Sequence, residues 1–195
     1  MARPLLRPCI WSMAGGLLVS LAPVLHYWFH VLHEHSQTLF LSGDFNELVG
    51  VRSHFYNLLS QGKLALWDPL TNGGMPVAAF VFNLLNPLQL SCALFLEQGL
   101  VRAEFTQSLM VLHLSLAGLG GFLWGLRLGL GRTAAAALGL ALGSGGFMSA
   151  HLIHPDMVKT YAWVPFVFLF LERARAQGGW LQGAWAGVFL GLVFW

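Results

Sequence analysis

Long apolar stretches separated by short polar connections make up most of this 195-residue chain. Crossing the hydrocarbon of a bilayer takes about 20 apolar residues in an α-helix. The pattern therefore predicts an all-α fold, a polytopic transmembrane helical bundle that forms a single transmembrane domain over residues 1–195. The predicted helices cover residues 9–31, 106–126, 133–150, 157–171 and 180–195.

The composition agrees with a lipid environment. Hydrophobic residues make up 56% of the chain and charged residues only 9%, whereas soluble domains carry about 25% charged residues. The lipid bilayer is thus the first expected partner. A net charge of +2, spread along the chain, argues against a nucleic-acid partner. Cys9 and Cys92 are the only cysteines and predict no disulfide framework.

The region 33–105 poses the topological question, because its apolar run Val77–Leu96 is interrupted by polar residues and a proline. If this run does not span, every short positively charged connection falls on one side of the membrane, which the positive-inside rule identifies as the cytoplasm. The arginines concerned are Arg3, Arg7, Arg127, Arg132, Arg173 and Arg175. We therefore expect a multi-pass membrane protein with a cytoplasmic N-terminus and one long extracytoplasmic loop of short interfacial helices.

Two stretches of that loop have recognisable local signals. Residues 44–59 carry apolar side chains at near-helical intervals after a Ser-Gly-Asp cap signal. The sequence "WDPLTNGGMP" is turn chemistry and predicts an ordered turn that includes Trp67 and Asp68.

Asp44 is the first candidate for chemistry, with Glu47 close to one helical turn later. A carboxylate near the outer interface can act as a general base for a hydroxyl or bind a divalent cation. The alternative is an ordinary helix cap, a role that Asp often plays before an amphipathic stretch.

The short connection "HLIHPDMVK" is the second candidate, since it gathers four titratable side chains on the side of the membrane that carries Asp44. His151 and His154 can donate to a phosphate, and Lys159 can neutralise its charge. The alternative is a solvated hairpin in which Asp156 caps the next helix.

A third group, His26, His30 and His33, follows helical spacing, with His35 just beyond. Histidines at such spacing can bind zinc or copper, but here they lack a fixed cysteine or acidic partner and are more typical of a headgroup interface. We assign no metal ligands on this evidence.

The motifs "GDF", "GKLALWDPLTNGGMPVAA" and "NLLNPLQL" resemble the loop of bacterial YfhO-like membrane proteins. The stretch from Ala117 to Glu172, with its small-residue helix and the Trp-x-Pro of Trp163 and Pro165, resembles the segment that follows this loop. The Trp-Asp-Pro and Gly-x-Pro block is the most specific part. Ala65 stands where that family usually has Pro, and Asp68 where it has Asn.

The YfhO-like family is similar to the GT-C superfamily of glycosyltransferases. This resemblance implies a GT-C-like N-terminal part and transfer of a sugar from a polyprenyl-phosphate carrier to a cell-envelope acceptor, with Mg²⁺ or Mn²⁺ compatible but not required. It implies Asp44 or Glu47 as the catalytic carboxylate. The substrate-binding residues that it implies are Arg52, Trp67, Asp68, His151, His154, Asp156 and Lys159.

A non-catalytic transporter or assembly factor for envelope polymers is the alternative function, and it would use the same loop for binding. The chain also stops within an apolar run, which predicts an N-terminal fragment that is inactive by itself.

Overall fold

The structure is a computed structural model that describes residues 10–27, 44–69, 73–77 and 84–194. It is mostly helical, which confirms the all-α prediction. Its helices are α1 (Ile10–Tyr27), α2 (Asp44–Ser60), α3 (Pro87–Leu90), α4 (Ala103–Arg127), α5 (Arg132–Ser144), α6 (Gly146–Ala150), α7 (Pro155–Gln177) and α8 (Trp180–Phe194).

The loop between α1 and α4 holds more than the predicted short helices. Besides α2 and α3, it contains a 3₁₀ turn, Ser91–Leu94, and two antiparallel hairpins. The hairpins pair β1 (Trp67–Asp68) with β2 (Met75–Pro76), and β3 (Leu96–Glu97) with β4 (Leu100–Val101). Two-residue strands have no detectable alternation of apolar and polar residues, so the pattern could not predict them.

Two segments of the described chain, Ala103–Arg127 and Arg132–Ala150, are long and apolar enough to cross a membrane. Ala14–Tyr27 and Trp180–Phe194 are shorter apolar helices. Large apolar side chains of α8 remain exposed, including Trp180, Leu181, Trp185, Val188, Leu190 and Phe194. Such a continuous apolar face suits contact with lipid or with another apolar surface better than contact with water.

The packing contacts fix the direction of each long helix. At one end of the bundle, Tyr27 of α1 lies in a cluster with Met110 and Leu114 of α4, and its hydroxyl donates to Ser149 Oγ at 3.5 Å. At the other end, Arg127 of α4 donates to the Glu172 carbonyl of α7 at 3.4 Å. Helices α4 and α7 therefore run in the same direction.

The remaining long helices run in the opposite direction to α4 and α7. In α5, Ala135 lies beside Gly125 and Gly143 lies beside Gly118, which is an antiparallel arrangement with α4. In α8, Phe189 stacks on Phe166 of α7 with ring centroids 5.1 Å apart, and Trp185 follows at Phe170.

The alternation has a consequence for the long loop. The C-terminal end of α1 and the N-terminal end of α4 lie at the same end of the bundle, so the chain between them leaves and returns on one side. A common end is what a loop on one side of the membrane requires. Residues 78–83 of the apolar run lie outside the described residues, so the placement of that run stays a prediction. Arg127 and Arg132 lie at the opposite end together with the Arg173 and Arg175 end of α7.

The small residues of α4 and α5 allow these helices to approach closely. A Cβ added to Gly143 would stand 2.8 Å from the Leu114 carbonyl oxygen and 2.9 Å from the Gly118 Cα. A Cβ at Gly139 would stand 2.7 Å from the Gly118 carbonyl oxygen. Backbone atoms cannot move aside as a flexible side chain can, so the two helices would have to separate.

We expect Gly143→Ala to lower the free energy of unfolding by about 1–3 kcal/mol, the usual cost of overpacking. Gly187→Ala in α8 is the control, since nothing lies within 4 Å of an added Cβ there. That change should be neutral or stabilise by up to about 1 kcal/mol, the helix propensity of Ala over Gly. Thermal unfolding of both variants in detergent measures the difference, and equal effects would refute the close-packing account.

Two helix boundaries differ from the prediction. The helix expected over 133–150 is interrupted at Gly145, whose extended ψ of 165° separates α5 from α6. The helix expected over 157–171 continues to Gln177 and ends at Gly178, which has a left-handed φ of 64°. The apolar window ended at Leu171, but the polar residues that follow still form helix.

Candidate functional site

Helix α2 is held against the bundle by its apolar face. Val51 and Phe55 are buried in one cluster with Leu84 and Val101, and the Ser53 hydroxyl accepts from the Val101 N–H at 2.9 Å. Positions adjacent to this face carry Arg52 and Tyr56, which are both buried. Docking of α2 therefore brings polar side chains into the interior.

Arg52 forms an ion pair with Asp156 in the first turn of α7. The arginine side chain is 5% exposed and the aspartate 18%, so the pair is largely shielded from water. The two residues are 104 positions apart in sequence. The pair thus joins the loop helix to the bundle.

Lys159, one turn further along α7, is fully buried. Arg52, Asp156 and Cys92 all lie close enough to act on its charge. Within the described part of the chain, its Nζ has no hydrogen-bond partner. The cluster of Arg52, Asp156 and Lys159 therefore contains two cationic groups and one carboxylate.

The connection "HLIHPDMVK" is solvated only in part, since exposed and half-buried side chains alternate with buried ones. Lys159 is shielded from solvent, and the residue at the N-cap of α7 is His154 and not Asp156. Pro155 occupies the first helical position, where it is favoured. The Asp156 carboxylate instead forms the ion pair with Arg52. Its place in the first turn of α7 still complements the helix dipole.

Neutral polar groups form the rest of this buried region. The Tyr56 hydroxyl donates to the Leu84 carbonyl at 3.0 Å, and the Cys92 thiol lies 4.0 Å from Gln89 Oε1. Burial raises the pKa of the Tyr56 hydroxyl, and proximity to Cys92 raises it further. Burial also raises the pKa of the Cys92 thiol. Both groups therefore stay protonated at neutral pH and add no negative charge beside Arg52.

We expect Tyr56 to make folding sensitive to alkaline pH. Because the folded state raises the pKa of Tyr56, its contribution to stability is complete below pH of about 10 and falls as the pH rises above that value. At neutral pH, Tyr56→Phe should cost about 0.5–1.5 kcal/mol through the lost hydrogen bond. The difference in melting temperature between wild type and Tyr56→Phe should shrink above pH of about 10; a constant difference would contradict this. Tyr161→Phe, at an exposed tyrosine, is the control.

The two candidate histidines are arranged around α6 and the start of α7. Their ring centroids are 5.8 Å apart. His151 stacks on Phe147, and its Nδ1 lies 2.8 Å from the Phe147 carbonyl oxygen. His151 is thus held by the preceding helical turn, in the connection that leads to Asp156 and Lys159 of α7.

The candidate acids Asp44 and Glu47 lie in the first turn of α2, the helix that carries Arg52. Their side chains lie outside the described part of the structure, so the choice between general base and helix cap stays open. What the backbone establishes is that both residues are on the helix whose Arg52 forms the ion pair with Asp156 of α7.

Trp67 and Asp68 form β1 of the first hairpin, and residues 70–72 of the predicted turn lie outside the described residues. Trp67 is 56% exposed, whereas Asp68 is buried. Gly74 has φ +113°, and an added Cβ would come 2.9 Å from the Trp67 ring. Glycine is therefore required there by both the backbone and the indole.

A divalent metal does not fit the cluster, because its one carboxylate already pairs with Arg52 beside a second cation. Among the described residues, no three His, Cys, Asp or Glu side chains gather as a metal site. The side chain of His26 is exposed, and its ring makes an edge-to-face contact with Tyr27. His30, His33 and His35 lie outside the described residues. We derive no step through a metal.

No protein-family model matches this chain, and neither a curated protein nor a solved structure matches it.

Sequence reasoning missed the neutral members of the site, Tyr56, Gln89 and Cys92. Gln89 is 1% exposed although it lies in a loop. The available signal was a lone amide in the apolar piece "NPLQLSC". That signal shows which residue is polar, but not that this segment folds back against α2 and α7.

Proposed function

We propose that this protein is a membrane glycosyltransferase that takes a sugar from a polyprenyl-phosphate carrier at the extracytoplasmic face of the bacterial inner membrane. A cell-envelope component accepts the sugar. The observation that carries the proposal is the buried cluster of Arg52, Lys159 and Asp156, which lies against the helix that bears Asp44 and Glu47.

The cluster has the charge that a phosphate site needs. Arg52 pairs with the one carboxylate, and Lys159 adds a buried amine whose protonated form a phosphate would stabilise. Buried charges are expensive unless they are paired. A phosphate that approached Lys159 would supply the missing partner, and the low-polarity surroundings would strengthen the attraction.

The spacing along α2 suits the two ends of a glycosyl transfer. At about 1.5 Å per residue, the backbone of Asp44 lies about 12 Å along the axis from Arg52, and that of Glu47 about 7.5 Å. In inverting sugar chemistry the base and the leaving-group side are separated by a sugar ring, with catalytic groups about 6.5–9.5 Å apart in hydrolases. Along the helix axis, Glu47 therefore lies within this range of Arg52, and Asp44 lies beyond it.

In the proposed reaction, the acceptor oxygen forms a bond to the anomeric carbon while the bond from that carbon to the phosphate oxygen breaks. The electron pair of the broken bond leaves with the polyprenyl phosphate. Asp44 takes the proton of the acceptor hydroxyl. Lys159 and Arg52 stabilise the charge that grows on the departing phosphate, assisted by donation from His151 and His154.

A transporter or assembly factor would bind the same lipid-linked sugar without breaking its bond to phosphate. Membranes from cells that produce the full-length protein are incubated with a polyprenyl-phosphate donor labelled in the sugar. Membranes with an Asp44→Asn, Glu47→Gln double variant serve as the control. Transfer of label to a water-soluble acceptor supports the proposal; binding of the donor without transfer in both preparations supports the rival.

The proposed orientation places the α2 end of the bundle outside the cell and the Arg127 end inside. The labelling uses a protein in which the two native cysteines have been replaced, produced in intact cells. We expect Gln61→Cys to react with an impermeant maleimide and Leu130→Cys to stay unlabelled until the cells are broken. Both side chains are exposed. Gly129 is avoided because its φ of 85° would strain a cysteine. Labelling of Leu130→Cys in intact cells would contradict this orientation.

A further inference from the structure

Three side-chain nitrogens in the buried region around Lys159 can donate a hydrogen bond but have no partner. Within the described residues, Lys159 Nζ, Arg52 Nη1 and Gln89 Nε2 are each buried and have no hydrogen-bond partner. A buried donor without a partner costs free energy, and native interiors leave few of them. Three such donors lie without a partner in this region. His113 Nε2 is an unpartnered acceptor near Lys159, because the same ring donates through Nδ1 to the Leu109 carbonyl.

Gln89 belongs to this region through its neighbour Cys92. The Cys92 thiol lies 4.0 Å from Gln89 Oε1, and Cys92 is close enough to Lys159 and Arg52 for their charges to act on it. The amide oxygen of Gln89 is thus directed to a neutral partner, while its Nε2 group remains available. Gln89 is 1% exposed, so water does not satisfy that group.

From this arrangement we infer that Gln89 is a binding residue that supplies a neutral donor to an oxyanion, together with Lys159 and Arg52. The ligand class is a phosphate, the group that the proposed function puts in this cluster, and the inference rests on that function. A phosphate has enough acceptor oxygens to satisfy all three donors at once. Gln89 comes from the α3 segment, so an occupied site would join three elements, α2, α3 and α7.

The chain offers a matched control in Gln107 of α4. This glutamine is also 1% exposed, but its unpartnered atom is Oε1, an acceptor. An acceptor cannot bind a phosphate oxyanion. Gln89→Leu and Gln107→Leu therefore make the same change of side chain at equal burial, and only the first removes a donor from the site.

The test measures binding of farnesyl phosphate, inorganic phosphate and farnesol to the purified full-length protein in detergent, by calorimetry and by thermal shift. We expect Gln89→Leu to weaken farnesyl phosphate binding about tenfold to hundredfold, the effect of one hydrogen bond to a charged group. Gln107→Leu should leave the binding of farnesyl phosphate unchanged. The binding of farnesol should be the same in wild type and in Gln89→Leu. Without ligand, Gln89→Leu should melt no lower than wild type, because it removes an unsatisfied donor.

A purely structural Gln89 gives the opposite result: a lower melting temperature without ligand and unchanged farnesyl phosphate binding. That result overturns the inference but leaves the proposed function standing. Gln89→Glu adds a second check, since its carboxylate would pair with Lys159, keep the fold and repel phosphate. A third outcome is that the protein binds inorganic phosphate through Gln89 but does not bind farnesyl phosphate. That outcome supports the inference and contradicts the proposal that the donor is a lipid-linked sugar. A wild-type protein that binds neither phosphate refutes both.

Discussion

Asp44→Asn should lower the rate of sugar transfer by about 10²–10⁴-fold, the usual contribution of a general base. Asparagine keeps the shape of the side chain and caps a helix about as well as aspartate. It cannot take the proton of the acceptor hydroxyl. The substitution therefore separates catalysis from capping, which Asp44→Ala would not do because alanine removes both.

The measurement is transfer from a polyprenyl-phosphate donor by the full-length protein, with the melting temperature recorded for each variant. Glu47→Gln is the companion variant, because Glu47 lies close to one turn further along α2 and nearer to Arg52. If Glu47→Gln is the inactive protein, the base is Glu47 and the reaction class is unchanged. Wild-type rates for both variants would refute a carboxylate base on this helix.

Asp156→Ala should produce the largest loss of stability, about 3–5 kcal/mol, the typical cost of removing one partner from a buried ion pair. The change leaves Arg52 and the fully buried Lys159 as two cations without a compensating charge. Glu172→Ala is the control at an exposed pair, since its partner Arg175 is 78% exposed. That change should cost at most about 1 kcal/mol.

Lys159→Met should have the opposite sign, although Lys159 is only one turn from Asp156. Methionine fills a similar volume, removes an unpartnered buried cation and leaves Arg52 paired with Asp156. We expect unchanged or increased stability together with loss of phosphate binding. A protein that gains stability when a buried charge is removed retains that charge for function. Denaturant titrations of Asp156→Ala and Lys159→Met measure both signs, and a destabilised Lys159→Met would show that the lysine is structural.

The helices could be predicted from the sequence because contacts with lipid and contacts within a core both require long apolar stretches. The arginine distribution predicted a loop on one side of the membrane. Tyr27 packs near the start of α4, so both ends of the loop lie at one end of the bundle, and the side of the membrane stays a prediction. The break at Gly145 was not predicted, since a glycine in a run of small residues fits a continuous helix equally well until packing is known.

The site was predictable only in part. Arg52, Asp156 and Lys159 were candidates because of their charge, but their burial depends on how α2 folds over α7, a contact between residues 104 positions apart. The sequence left open that Asp156 caps the helix that follows it. Its pairing with Arg52 follows from the same long-range contact. Gln89 has no charge and no motif, so its place beside Cys92 required the three-dimensional arrangement.

The most direct test of the central claim uses a donor labelled with one isotope in the sugar and another in the polyprenyl phosphate, incubated with the purified full-length protein and acceptor. The account predicts that the sugar label moves to the acceptor while unlinked polyprenyl phosphate appears in equal amount, and that both products are lost together in Lys159→Met. A donor that stays intact in the presence of bound, folded wild-type protein and acceptor would contradict the account.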